Sequence, residues 1–255
     1  MSDTTYQSHS SDLSGCSSVS TSTSTDSGTP ERREWYLEML DYFESETNRL
    51  VFGNEPWEIC KQTRDTTISR LPLPADQSGG GGRHVFRNEF YVDLSVQRLS
   101  HRVHACGPYR RKWDSQLDYV QKLEEIDENK LLYRHVLKSH MMGLVSARDT
   151  IHLVKFAESS KGRYAIIGSV EVPEWPHQSG FVRAWSYPAG IFMFHTDDPN
   201  RTRVVALFNA DIHIALIPVS ILEALVPHGC QVFISDLQKS AKLKDEKHPP
   251  LIGWD

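Results

Sequence analysis

The chain has 255 residues, of which 39% are hydrophobic, and 28 Lys and Arg against 33 Asp and Glu give a formal charge of −5. Such a composition excludes a fibre, a coiled coil and a wholly disordered chain, and it supplies no excess of positive charge to hold nucleic acid. No window approaches the roughly 18 consecutive apolar residues of a membrane span, since the densest run, 214–226, is interrupted by Pro218, Ser220 and Glu223.

The N-terminus is polar and carries no secretory pattern, so the protein is read as cytoplasmic. Its four cysteines, Cys16, Cys60, Cys106 and Cys230, are too scattered for a CxxC unit and are expected to stay reduced. Residues 1–30 are dominated by Ser and Thr with almost no aromatic or branched apolar side chain, and read as a disordered leader. After Pro30 an amphipathic helix is expected from Glu31 to about Leu50, with Tyr36, Met39, Leu40, Phe43 and Leu50 on one face. Strands follow from Thr66 to Arg70 and from Val85 to Val92, joined by the glycine stretch 79–82, which lacks the Lys and Ser/Thr of a phosphate loop.

A second helix starts near Asp93, with Asp93 or Ser95 as cap and Val96, Leu99 and Val103 as its apolar stripe, and Cys106-Gly107-Pro108 ends it. Leu117 to Ile126 fits a helix through Trp113, Leu117, Val120 and Leu123, and fits a strand equally well through Leu117, Tyr119, Gln121 and Leu123. Leu131 to Leu137 alternates as a strand, and further strands are expected at 150–156, 164–172, 180–185, 191–195 and 204–212. A last helix runs from about Pro218 to Leu237, and residues 241–255, rich in Lys and Pro, read as a flexible tail. The order predicts an α+β fold, an antiparallel sheet with helices on one face.

Several of these residues, taken in order, resemble the START family of lipid-transfer domains. They are Trp57-Glu58-Ile59-Cys60-Lys61, Trp113-Asp114, Ser146-Ala147-Arg148-Asp149, Ser169 with Pro173 and Pro176, Gly180-Phe181-Val182-Arg183, Asp211, and Ile217-Pro218 before the final helix. The resemblance covers about residues 31–240 and is nearest to the small soluble sterol-transfer members. It implies a helix-grip fold, a curved antiparallel sheet wrapped around a long C-terminal helix with a lipid tunnel between them, and it turns Leu117 to Leu137 into a β-hairpin.

The resemblance also implies the site. Leu222, Leu225, Gly229, Val232 and Phe233 recur at helical spacing and would form the tunnel wall on the last helix, although the same stripe suits ordinary core packing. Tyr133, His135, His152 and Val154 would line the sheet side. His135 and Val154 align with an acidic and a basic residue that pair in some sterol-carrying members, so this chain has lost both charges together and keeps in His135 a neutral donor or acceptor. The loop from Glu171 to Ser179, with Val172, Trp175 and Pro176, corresponds to the entrance loop and a membrane contact. Arg148, Asp149, Arg183 and Asp211 are expected to be structural, with Asp211 a candidate partner for Arg183. Pro227 would kink or break the last helix.

The function implied is non-enzymatic carriage of one lipid between membranes, a sterol first and a phospholipid or bile-acid-like molecule next. No cofactor, metal or nucleic acid is expected, membrane contact would be transient, and the protein would be a monomer. A helix-grip enzyme such as an acyl-CoA thioesterase and a lipid-gated interaction module are the alternatives. The sequence has no Gly-x-Ser-x-Gly elbow and no His-Glu-x-x-His, and His101 and His104 fall on what looks like a surface helix.

Overall fold

The computed structural model of the chain describes residues 29–73, 84–139, 146–211 and 219–255, with side chains in the last segment from residue 225 onward. The leader up to residue 28 and the glycine stretch lie outside the described residues. Helix α1 spans Pro30–Phe52 and buries Tyr36, Leu40, Phe43 and Leu50, the stripe its sequence predicts. Strands β1 (Glu58–Gln62), β2 (Thr66–Pro72) and β3 (His84–Val92) follow. Helix α2 (Val96–Val103) is capped by Ser95, whose hydroxyl accepts from the Arg98 amide at 3.3 Å, and one short turn, α3, covers Arg110–Trp113.

Strands β4 (Leu117–Asp127) and β5 (Lys130–Leu137) form the hairpin the resemblance implies. Three register shifts interrupt β4, between Leu117 and Tyr119, Lys122 and Glu124, and Glu125 and Asp127. Each shift resets the two-residue alternation, which is why the local pattern suits helix and strand alike. Then come β6 (Arg148–Ser159), β7 (Gly162–Ser169), β8 (Val182–Arg183), β9 (Trp185–Ser186), β10 (Ala189–His195), β11 (Thr202–Phe208), β12 (Ala210–Asp211) and α4 (Val219–Lys239). The segment predicted as one strand over 180–185 is thus two short pieces. Strand β8 lies parallel to β6 where β7 has ended, and β9 pairs with β12 in a separate ribbon. Helix α4 continues through Pro227 without a break.

The main sheet runs β1-β2-β3-β11-β10-β7-β6-β5-β4. Helices cover both faces, not one as the order of elements suggests. On one face α1 packs with Leu132, Leu153, Ile166, Phe192 and Val205. On the other, α2 and α4 meet Leu131, Val154, Ala165, Met193 and Val204, the alternate residues of the same strands. Each strand therefore serves two apolar layers, so nearly continuous apolar runs such as 164–170 are buried on both sides.

Residues 241–255 are not a flexible tail. Leu251 and Trp254 are buried, and the segment is tied down along its length. Arg102 donates to the Leu243 carbonyl at 2.8 Å and to the Asp245 carboxylate at 2.5 Å, and the Glu246 amide donates to the Tyr109 hydroxyl at 2.6 Å. Asp255 meets His101 at 2.8 Å, and the Trp254 indole donates to the Ala157 carbonyl at 3.2 Å. Local composition hides this because the segment forms almost no secondary structure of its own. Its order comes from a seat built by α2, α3 and β6.

Candidate functional site

The face of the sheet beneath α4 is apolar but not closed. Ile167 on β7 and Ile191 on β10 belong to central strands and face α4, yet both keep accessible surface, whereas their convex-side neighbours Ile166 and Phe192 are buried. Val226 and Phe233 on α4 are likewise only half-buried. Half-accessible apolar residues in the middle of a covered sheet mark space between sheet and helix. Ala165 and Ala206 flank Ile191 in register, so small side chains keep this part of the wall low.

Four polar side chains lie together at one side of that space. Strands β5 and β6 pair Tyr133 with His152 and His135 with Thr150, which puts Tyr133, His135 and His152 on the same face as Leu131 and Val154. His152 Nδ1 lies 3.1 Å from the Tyr133 hydroxyl and Nε2 lies 2.8 Å from the hydroxyl of Ser186 on β9. The rings of His135 and His152 stack 5.6 Å apart. Burial holds both imidazoles neutral: it depresses the pKa of His135 to about 3 and that of His152 well below 6.5, with the Arg110 charge acting in the same direction on both. Desolvation also raises the Tyr133 phenol, which stays protonated.

Arg110, on α3, is bonded to Asp114 at 2.6 Å and lies over the rings of Trp113 and Phe233, 4.7 and 5.7 Å from their centroids. Its Nε is buried with no hydrogen-bond partner among the described residues. Below the cluster, Asp149 joins three strands: it pairs with Arg134 of β5 and takes both Nε and Nη2 of Arg183 of β8 at 2.9 Å. Among the described residues no group of three His, Cys, Asp or Glu is placed to hold a metal, and no helix is long and apolar enough to cross a membrane.

The START domain's family model matches residues 51–240, about three quarters of the chain. The chain belongs to the START family. StAR-related lipid transfer protein 5 of Bos taurus is 24% identical over 189 residues, covering 73% of this chain and 86% of that protein. The human StAR-related lipid transfer protein 6 is 26% identical, covering 73% and 82%. Among solved structures, human StAR-related lipid transfer protein 5 superposes with a TM-score of 0.75 at 23% identity, over 82% of this chain and 98% of that one, and so shares its helix-grip fold. The START family's function is to bind and transfer lipids.

Within this START domain the sequence-predicted site divides. Tyr133, His135, His152 and Val154 come together on the face towards α4, and Phe233 faces them from the helix, its ring edge-on to Phe90 at 6.5 Å. Leu222 lies in α4, but its side chain is outside the described residues. Leu225 and Val232 are half-buried and stand apart from the stripe that packs on the sheet, which is Val226, Cys230, Phe233, Ile234 and Leu237. Gly229 meets Gln116, whose side-chain amide donates to its carbonyl at 3.4 Å. The helix is apolar on two adjacent stripes, and periodicity alone does not say which one packs on the sheet.

The entrance loop also departs from expectation. Val172 is buried in the α1 layer and Trp175 folds back against the same layer, its amide donating to the Val172 carbonyl at 2.9 Å. Neither is an exposed tip; Pro176 is exposed. An aromatic ring next to an apolar layer gains more by joining it than by standing in water. Arg183 finds its carboxylate in Asp149, and Asp211 sits in β12 opposite Trp185. Arg148 donates to the Ser146 carbonyl. His104 is no surface residue: it is buried, stacked on Phe156 at 4.5 Å, and burial lowers its pKa to about 4.

Three contributors were not nominated from sequence. Arg110 was legible, since it stands four residues before Asp114 and an i, i+4 pair shares a helix face. Arg134 and Ser186 were not: Arg134 alternates with apolar neighbours, and Ser186 is placed by a two-residue strand with no pattern of its own.

Proposed function

We propose that the protein carries a single lipid with one hydroxyl-bearing end, a sterol first, in the space between α4 and the sheet. The observation that carries this reading is the cluster of Tyr133, His135, His152 and Ser186, four uncharged polar groups, the first and third buried and the other two half-buried, in an otherwise apolar wall. Tyr133, His152 and Ser186 satisfy one another, and the half-buried His135 beside them adds a neutral donor or acceptor, so the cluster suits a guest whose own hydroxyl can join the chain of hydrogen bonds. The Arg110 charge is taken up by Asp114, and the site therefore offers hydrogen bonds rather than net charge, which ranks a sterol above a phospholipid. A bile-acid-like molecule ranks with the phospholipid.

A hydrolase would have to use the Ser186–His152 contact, the one arrangement here that resembles a nucleophile beside a base. Against it, the strong downward shift of His152 makes a poor base, and its other nitrogen faces the Tyr133 hydroxyl in place of a carboxylate. A binding site fits these groups better than a catalytic one. Carriage between membranes as a cytoplasmic monomer, with transient peripheral contact, completes the proposal.

Native mass spectrometry of the purified protein tests it. The expected result is a 1:1 sterol adduct that His152→Phe reduces at least tenfold, with transfer of a fluorescent sterol between vesicles falling in step. A protein that neither retains nor moves any lipid refutes the carrier, and a phospholipid adduct unaffected by His152→Phe refutes the sterol assignment.

A further inference from the structure

The C-terminal segment after residue 240 lies outside the family match, and yet it reaches the wall of the cavity. Phe156 is on the same face of β6 as His152 and Val154, four residues and therefore about 13 Å from His152. It occupies the row Phe156, Ala165, Ile191, Ala206, and Ile191 in that row is one of the residues that keep accessible surface. Ile191 brings the open space to this row, and Phe156, itself sealed, closes the row's end.

At its end the C-terminal segment closes on Phe156. The Trp254 ring stands 4.8 Å from the Phe156 ring at 68°, and His104 stacks on it at 4.5 Å. Gly253 has φ +84°, and a Cβ there would come within 2.5 Å of the Phe156 Cβ, so the backbone itself lies against that side chain and only glycine suits the position. Trp254 is 4% exposed and belongs to the same apolar layer as Tyr133 and Val154, not to a separate surface cluster. Outside, the strap is latched at Arg102 and Arg98, both of which bond Asp245.

We infer that residues 243–255 form the floor of the lipid cavity, with Trp254 setting how long a guest the cavity accepts. This rests on the lipid-cavity reading above. A guest whose polar end is held at His152 extends its apolar part past Val154 towards Phe156, where the indole stops it. The strap is thus a specificity element appended to the START fold, because the contact that limits length comes from a segment that the family match does not include.

The test measures the affinity of the full-length protein for a series of fluorescent primary alcohols carrying C5, C12 and C16 chains. The parent is expected to weaken sharply at the longest probe it meets, and Trp254→Ala should recover binding of that probe by about tenfold relative to the shortest, the discrimination that two buried methylenes provide. Trp254→Leu keeps an apolar side chain in the seat and should fall between them, which guards against a variant that fails to fold. If the ratio between long and short probes is the same in the parent and in the folded variants, the floor assignment is wrong while the carrier stands. Should the parent bind none of the probes, the floor assignment falls, while the sterol adduct measured by native mass spectrometry decides the cavity reading on its own.

Discussion

The two faces of the sheet are made from alternate residues of the same strands, and they are built to different ends. On the α1 face, packing is close around Phe43 and loosens towards the end of the helix, where a pocket of about 150 Å³ lies between Phe52, Tyr164, Phe192 and Phe194. Phe43 lies so close to β7 that a Cβ at Gly168 would be 2.4 Å from its ring, and Leu132, Leu153 and Ile166 beside it are sealed. On the α4 face, apolar residues in equally central positions keep accessible surface, and polar side chains sit where a stability-only design would place aliphatic ones. The difference teaches that the α1 layer carries much of the stability that lets the other layer remain open. A space beneath α4 forgoes dispersion contacts that a filled core would make, and the folded state tolerates it because the same strands are clamped from behind.

The sharpest way to break that comparison is to truncate one aromatic on each face. Phe43→Ala should lower unfolding free energy by about 3 to 5 kcal/mol, the usual range for an aromatic removed from a sealed core, and should leave lipid affinity per folded molecule unchanged. Phe233→Ala should lower stability by only about 1 to 2 kcal/mol, because part of its surface already faces space, while weakening sterol binding at least tenfold. Urea unfolding and ligand titration on both variants give the answer. Equal stability losses would mean that the α4 face is as filled as the other.

A second difference between the faces is chemical. His104 and His152 are buried and His135 half-buried on the α4 side, and in each case desolvation is the largest cause of a lowered pKa. In the unfolded chain they titrate near 6.5, so as pH falls below that value the unfolded state binds protons that the folded state refuses. Stability is therefore complete above about pH 6.5 and declines as pH falls, until it levels near pH 4 for His104 and pH 3 for His135. Between pH 6.5 and 5 one such group accounts for about 2 kcal/mol. His135→Phe should recover roughly that amount at pH 5 and change little at pH 8. Thermal unfolding at the two pH values checks it, and a variant as acid-sensitive as the parent would place the acid response elsewhere.

How much of this was legible in the sequence follows from where each element draws its order. Helix α1 and strands β3 and β5 carry their own periodicity, so Tyr36, Phe43, Phe90 and Tyr133 were readable as inward-facing. Strand β4 was not, because its bulges reset the alternation. The strap was not, because Trp254 is ordered by Phe156 and His104 from far along the chain. Of the candidate site, Tyr133, His135, His152 and Val154, to which the family's order of motifs points, share the α4 face because β5 and β6 pair in register. On the helix, Phe233 of the predicted stripe packs on the sheet while Leu225 and Val232 stand apart, because Leu225 and Val226 are both apolar neighbours and only packing decides between them. That Arg183 bonds Asp149 was not readable for a related reason: the two lie 34 residues apart, and no local rule states which carboxylate a guanidinium will reach.

The smallest expected effect concerns the lid rather than the wall. Helix α4 passes through Pro227 without breaking, although proline cannot donate to the Glu223 carbonyl and its ring crowds that turn. A proline inside a helix is disfavoured by about 3 kcal/mol relative to alanine, but alanine also frees the unfolded chain by up to about 1 kcal/mol, and the net gain from Pro227→Ala should be at most about 2 kcal/mol. That small gain falls on the half of α4 that borders the open space, not on the half where Ile234 and Leu237 are sealed. If the weakened turn lets α4 lift for a lipid to pass, then the stabilised helix should exchange a fluorescent sterol several-fold more slowly at unchanged equilibrium affinity. Stopped-flow release into acceptor vesicles separates the two quantities. A raised melting temperature with an unchanged release rate would assign Pro227 to the helix's shape alone and leave the opening of the α4 face to other residues.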